Sequence, residues 1–171
     1  MYNIFMWIKI EHYFEEFPIR KKIAALFLMY GFRIGNDEKI YCNDIEIPYT
    51  SIARALNIDR RVVKETVRMI LKNEELSVVF KNLNSIAFYN EVAKKMHFGV
   101  IEIYADASTV GIVAEVSSMI AKENISIRQI VADDPTLFPE PKLTVITEKK
   151  VPGELLDKFL SVKGVRRVSI Y

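Results

Sequence analysis

The sequence predicts an α+β protein in two parts: an all-α N-terminal half over residues 1–96 and a β-α-β-β-α-β half over residues 97–171. Three observations lead there. In the first half, apolar residues recur at three- and four-residue spacings, the period of a helix. After Lys95 several runs rich in β-branched residues alternate with a period of two. Two amphipathic stretches divide those runs into strand, helix, strand, strand, helix, strand. The length of 171 residues suits one domain or two small ones, and 50% hydrophobic residues provide enough apolar material for a core.

The elements follow in order. Residues 11–17 close one helical segment and Pro18 opens the next, because proline fits the first turn of a helix. Ile19, Ile23, Leu26, Phe27 and Tyr30 carry the helical spacing; Gly31, Gly35 and Asn36–Asp37 end it. Residues 39–42 and 44–47 read as short strands or extended links. Pro48 opens a helix over 49–56, Asn57-Ile58-Asp59 makes a tight turn, and a further helix runs over 60–72 with Asp59 as its cap. The pattern of residues 74–89 does not separate helix from a β-wing. The aromatics Tyr2, Phe5, Trp7, Tyr13, Phe14 and Phe17 read as core or a dimer seam.

In the second half, strands are expected over 98–105, 125–132, 142–148 and 165–171. Helices are expected over 112–122, with Ile112, Val113, Val116, Met119 and Ile120 on one side, and over 152–160, with Leu155, Leu156, Phe159 and Leu160 inward. Gly164 stops the second helix. Residues 106–111 and the proline-rich 133–141 are loops. One antiparallel sheet with both helices on one face buries those stripes, the ferredoxin-like arrangement.

Several classes of function fall away. One cysteine, Cys42, excludes an internal disulfide framework and a Cys-rich zinc site. His12 and His97 lie far apart and match no metal-ligand spacing. Asp133–Asp134 reads as a solvated loop, and His97 as a linker residue. There is no Gly-rich phosphate loop, HExxH or Ser/His/Asp arrangement, so no enzyme, cofactor or metal is expected. The apolar runs are shorter than the ~20 residues of a membrane helix. The N-terminus lacks the pattern of a secretory signal, so a soluble cytoplasmic protein is expected, with no membrane partner.

The charge points towards nucleic acid. Overall, 24 Lys+Arg against 22 Asp+Glu leave a net charge of only +2. Yet Arg54, Arg60, Arg61, Lys64, Arg68 and Lys72 crowd one stretch against Asp59 and Glu65. Charge concentrated on one face matters more than the total. Within residues 48–72, Ile52, Ala53 and Leu56 face inward from the first helix, Ile58 plugs the turn, and Val63, Val67 and Ile70 pack back from the second. The other side of that helix carries Arg61, Lys64, Glu65, Arg68 and Lys72; the expected DNA-contacting set is Arg60, Arg61, Lys64, Arg68 and Lys72 with Thr50 and Ser51, which begin the first helix. Such a pair can enter the major groove of double-stranded DNA, with its N-terminal side chains near base edges and the rest near phosphates. This segment resembles the helix-turn-helix of prokaryotic transcription regulators.

Residues 106–127, DASTVGIVAEVSSMIAKENISI, are similar to the start of an ACT domain, the small βαββαβ ligand-sensing module of amino-acid metabolism. Asp106 stands at the end of the first strand, Gly111 at the first turn of the helix, and Asn124-Ile125-Ser126-Ile127 where the second strand begins. Val110 replaces the proline common before that glycine, and Ser126 stands where Asn or Asp often contacts the ligand. An α-amino acid needs N–H donors for its carboxylate and oxygen acceptors for its ammonium. Exposed amides at a glycine-led helix start supply the former. The expected ligand set is Asp106, Ser108, Thr109, Val110, Gly111, Ile112, Asn124, Ile125 and Ser126.

Taken over the whole chain, the order resembles archaeal ACT-containing regulators of amino-acid metabolism. The resemblance implies a transcriptional regulator with an amino-acid effector, paired as a homodimer or higher even oligomer through the ACT domain. Exposed sheet edges need covering, and two-fold operators need two heads. Two other readings stand beside it. One is a regulatory subunit that controls a biosynthetic enzyme without touching DNA; the other is a feast/famine (leucine-responsive) regulator.

Overall fold

The structure is a computed structural model and describes residues 6–171. It is α+β, with two antiparallel sheets, and it divides into two compact units between Ala87 and Phe88.

The first unit contains α1 (Met6–Ile10), a 3-10 turn (Glu11–Phe14), α2 (Pro18–Tyr30), β1 (Arg33–Ile34), β2 (Ile40–Cys42), β3 (Ile45–Ile47), α3 (Tyr49–Leu56), α4 (Arg60–Lys72) and α5 (Glu74–Lys81). It is not all-α. β1, β2 and β3 form an antiparallel sheet in that order, with Ile34 opposite Ile40 and Cys42 opposite Ile45. Polar turn residues, including Glu38 and Asn43 with positive φ, reverse the chain between the strands. Residues 74–81 are helix rather than wing. Asn73 caps them by accepting from the Leu76 amide at 2.9 Å, and Leu76 and Phe80 fill the core. That core joins Phe14, Ile23, Phe27, Ile34 and Ile40 to Val63, Val67 and Ile70, with Phe27 and Phe80 edge to face at 6.3 Å. Of the early aromatics, Trp7 and Phe14 are core, Phe17 is exposed and Tyr13 half-buried; Tyr2 and Phe5 lie outside the described residues.

After α5 the chain is fastened back onto this unit. The Ser85 amide donates to Asn43 Oδ1 at 3.0 Å and its hydroxyl to the Tyr30 carbonyl at 2.6 Å. The Cys42 thiol sits 3.3 Å from the same hydroxyl.

The second unit contains α6 (Asn90–Lys95), β4 (Gly99–Ala105), α7 (Ile112–Lys122), β5 (Ile127–Ala132), β6 (Leu143–Thr147), α8 (Leu155–Leu160) and β7 (Val165–Ile170). From β4 onwards the order is strand, helix, strand, strand, helix, strand, and the sheet runs β5-β6-β4-β7, antiparallel throughout. α7 and α8 share one face. Ile112, Val116, Ile120, Leu155 and Phe159 pack on Ile101, Ile103, Leu143 and Val145. α8 begins later than expected, because residues 152–154 form a turn that accepts the Leu155 amide at the Pro152 carbonyl.

α6 covers part of the other face, with Ala93 against Val100 and Ile146. Beneath it lies Glu102, whose side chain is 5% exposed and receives Lys142 Nζ at 2.9 Å, Lys94 Nζ at 3.4 Å and Asn90 Nδ2 at 3.0 Å. This packing explains why the second unit starts at Phe88, earlier than the expected boundary at residue 97. Among the described residues no helix is long and apolar enough to cross a membrane.

Candidate functional site

α3 and α4 form a tightly joined pair. Ile52 and Ala53 are buried on α3, and Asn57 takes a left-handed conformation (φ +52°) that ends it. The Ile58 amide returns to the Ala53 carbonyl at 3.0 Å. Asp59 then starts α4 by accepting from the Arg61 amide at 2.7 Å. Val63, Val67 and Ile70 are fully buried, and Thr66 hides its hydroxyl by donating to the Val62 carbonyl at 2.7 Å.

Arg60, Arg61, Lys64, Arg68 and Lys72 are all exposed on the opposite side, and so are Thr50 and Ser51 in the first turn of α3. An open cavity of about 540 Å³ brings Thr50 together with Arg60, Arg61 and Lys64, beside Glu46, Pro48 and Tyr49. Ser51 does not line it.

Two ion pairs at this face are not legible in the sequence. Arg68 Nε donates to Glu38 Oε2 at 2.9 Å, so a loop carboxylate sits on a cation of α4. Glu38 is held there by the Tyr49 hydroxyl, which donates to its carbonyl, and by a backbone at φ +62°. Burial pushes the Tyr49 hydroxyl above its ordinary pKa. On the other flank, Arg20 of α2 donates to Glu65 of α4 at 2.9 Å. Both pairs join residues far apart in the chain, and no local pattern announces them.

The expected ligand set divides. Asp106 Oδ1 accepts from both the amide (2.9 Å) and the hydroxyl (2.8 Å) of Ser108. These bonds hold the Asp106 carboxyl below its usual range. Thr109 packs at Gly164, where an added Cβ would strike its side chain. Val110 is 96% exposed. Gly111 has φ +101°, and a Cβ there would meet only Glu115 Oε1, at 3.9 Å. The approach to the first amides of α7 is therefore open.

The side chains of Ile112 and Ile125 belong to the hydrophobic core. Asn124 (φ +55°) and Ser126 are exposed beyond the far end of α7, and the Ser126 amide donates to Glu148 Oε1 at 3.2 Å. Eleven helical residues lie between the two segments, about 16 Å of rise. One chain therefore does not bring Asn124–Ser126 to the 106–111 loop, as a single site would require. An apolar cavity of about 460 Å³ in this unit lies elsewhere, lined by Tyr89, Val92, Ala93, Phe98, Arg128 and Ile146. Among the described residues no group of His, Cys, Asp and Glu could hold a metal ion.

No protein-family model matches the chain, and no curated protein matches it. Among solved structures it is similar to the one described as "Crystal structure of PH0061", with a TM-score of 0.27 and 13% identity over 90% of this chain and 88% of that one. A likeness that low carries no argument about fold or function.

Proposed function

We propose that the chain is a DNA-binding transcriptional regulator of amino-acid metabolism. The first unit reads duplex DNA through α3–α4 as a helix-turn-helix. The second is an ACT-like, ferredoxin-like domain that takes an α-amino acid. The observation that carries the reading is the two-sidedness of α4: Val63, Val67 and Ile70 are fully buried, and Arg60, Arg61, Lys64, Arg68 and Lys72 are exposed opposite them. A helix of ~10–12 Å diameter fits a major groove about 12 Å wide. Arg61 and Lys64, near the start of α4, are suited to base edges; Arg68 and Lys72 are suited to phosphate, with Thr50, Ser51 and the first amides of α3 meeting phosphate as well.

Changing Arg61, Lys64 and Arg68 together to Ala is expected to weaken binding to duplex DNA and to flatten its salt dependence by about 0.9 log unit for each phosphate that these side chains neutralise. Unchanged affinity and slope in a folded triple variant would rule the reading out.

For the sensing half, the open side of Gly111 supports a carboxylate docked on the amides that begin α7, with the exposed Glu115 as an acceptor for an ammonium. Asp106 and Ser108 shape the loop through their own hydrogen bonds. Gly111→Val is expected to abolish amino-acid binding in calorimetric titration while DNA binding persists. Linkage requires DNA to change amino-acid affinity by the same factor as the amino acid changes DNA affinity. If no amino acid binds the wild type at millimolar concentration, the second unit is better read as a pairing module.

The Glu38 and Glu65 pairs favour one competing reading, a regulatory subunit that docks on an enzyme, since they neutralise part of the basic face. A DNA titration insensitive to salt would select it.

A further inference from the structure

We infer that Arg20, on the flank of α4, is a ligand for a DNA backbone phosphate; the inference rests on the DNA-binding reading above. A helix that fills the major groove has a sugar-phosphate backbone passing along each side. The groups beside such a helix must therefore accept phosphate or repel it. On the side facing α2, an open cavity of about 470 Å³ is lined by Tyr13, Arg20, Glu65, Arg68, Lys72 and Asn73, among others. Its cations outnumber its carboxylate.

Arg20 is already set in place. Its guanidinium lies 4.5 Å over the Phe17 ring, Nη1 donates to the Met69 sulfur at 3.6 Å, and Nη2 donates to Glu65 Oε2 at 2.9 Å. A guanidinium has five N–H donors in a rigid fork, so donors remain beyond those two bonds. A fork held by stacking loses little freedom when phosphate oxygens arrive, and paired donors match phosphate geometry. Glu65 is an exchangeable occupant: its side chain is 59% exposed while that of Arg20 is only 23% exposed, so the carboxylate can leave while the guanidinium stays. Lys72 has no ion pair among the described residues and supplies a second cation at the same place.

The test is titration of a mixed-sequence DNA duplex with the full chain over a range of salt. Arg20→Gln is expected to weaken binding and to lower the slope of log K against log salt by about 0.9, the share of one phosphate. Glu65→Gln is expected to tighten binding, and much of that gain is expected to vanish in the Arg20→Gln/Glu65→Gln double variant. If Arg20 only braces α2 against α4, Arg20→Gln lowers the melting temperature and leaves the salt slope unchanged, which overturns the inference. Should Arg20→Gln not fold, Arg20→Lys and Lys72→Gln carry the test: the first is expected to keep the slope and lose affinity, the second to lower the slope by about 0.9. An affinity unchanged from the wild type in a folded Arg20→Lys variant would overturn it. The Arg61, Lys64 and Arg68 triple variant separates the two claims. If it binds as the wild type does, the DNA reading itself fails; if it weakens while Arg20→Gln does not, only this inference fails.

Discussion

Gly31 ends α2 at φ +65°, and a Cβ there would run into the backbone of Asn84 and Ser85. Gly31→Ala therefore combines left-handed strain of about 1–2 kcal/mol with a collision that only a backbone shift relieves. The first unit is expected to melt at least 4 °C lower, on the scale of roughly 4–8 °C per kcal/mol for a domain of this size; an unchanged melting temperature would show that the 84–85 segment moves freely. Glu102 offers a pH test. Burial alone pushes its carboxyl up, but hydrogen bonds from Lys142 and Asn90 and the charges of Lys142 and Lys94 outweigh that and hold it below the usual range. A carboxyl depressed in the folded state adds stability above its unfolded value, about 4.3, and loses it as pH falls through the folded value. Asp133, pushed up by burial, works the other way, so the informative quantity is a difference. Wild type is expected to lose more melting temperature than Glu102→Gln on acidification from about pH 6 to about pH 3. Equal losses would show that the carboxylate contributes nothing. At this scale the sequence names the cations of α4 from spacing alone, since one helix places them. The pairs Glu38–Arg68 and Glu65–Arg20 are tertiary contacts, which spacing does not encode.

Among the elements, α3, α4 and α7 have the bounds that their sequences predict, because each is long enough for an apolar stripe and begins or ends on a turn residue. Asp59 is one such signal. Asp59→Ala is expected to cost the first unit about 1 kcal/mol, visible as a lower denaturant midpoint with an unchanged slope. A midpoint equal to the wild type would show that the cap is idle. Shorter elements are less legible. β1, with two residues, leaves no pattern, and β2 and β3, with three each, fall within 39–42 and 44–47, which the sequence leaves open between short strands and extended links. α5 mixes Val78 and Val79 with helix formers, and its identity is decided by the Asn73 cap and by Leu76 and Phe80 entering the core. α6, with six residues, owes its position to the sheet beneath it. The ligand set divides for a related reason. The resemblance carries Asp106–Ile112 and Asn124–Ser126 together, whereas α7 holds them at opposite ends of its axis.

For the molecule as a whole, the two units predict that fragments fold independently if they are cut in the right place. A fragment Phe88–Tyr171 is expected to fold cooperatively. His97–Tyr171, which lacks α6, leaves Ile146 and Val100 uncovered and Glu102 without Asn90 and Lys94, and is expected to be less stable or to aggregate. Equal melting temperatures would show that α6 adds nothing to the second unit. The proposed pairing is read from the same preparation. β5 and β7 are the free edges of the sheet, and the mass of Phe88–Tyr171 in solution is expected to be that of a dimer or a higher even assembly. A folded, strictly monomeric fragment at high concentration would remove the second unit as the source of two-fold symmetry.

The Tyr49 hydroxyl that pins Glu38 beside Arg68 has a consequence for the search along a genome. If the first unit reads DNA as proposed, any duplex must displace that carboxylate to gain the arginine, whatever its sequence. The toll falls equally on right and wrong sites, and only a right site offsets it with base contacts. On the proposed DNA-binding reading, residence on random DNA would be brief and hopping frequent, so that more sites are examined in a given time. Loosening the pin with Tyr49→Phe is expected to slow dissociation from mixed-sequence duplex, giving a reader that binds more tightly everywhere and finds its target later.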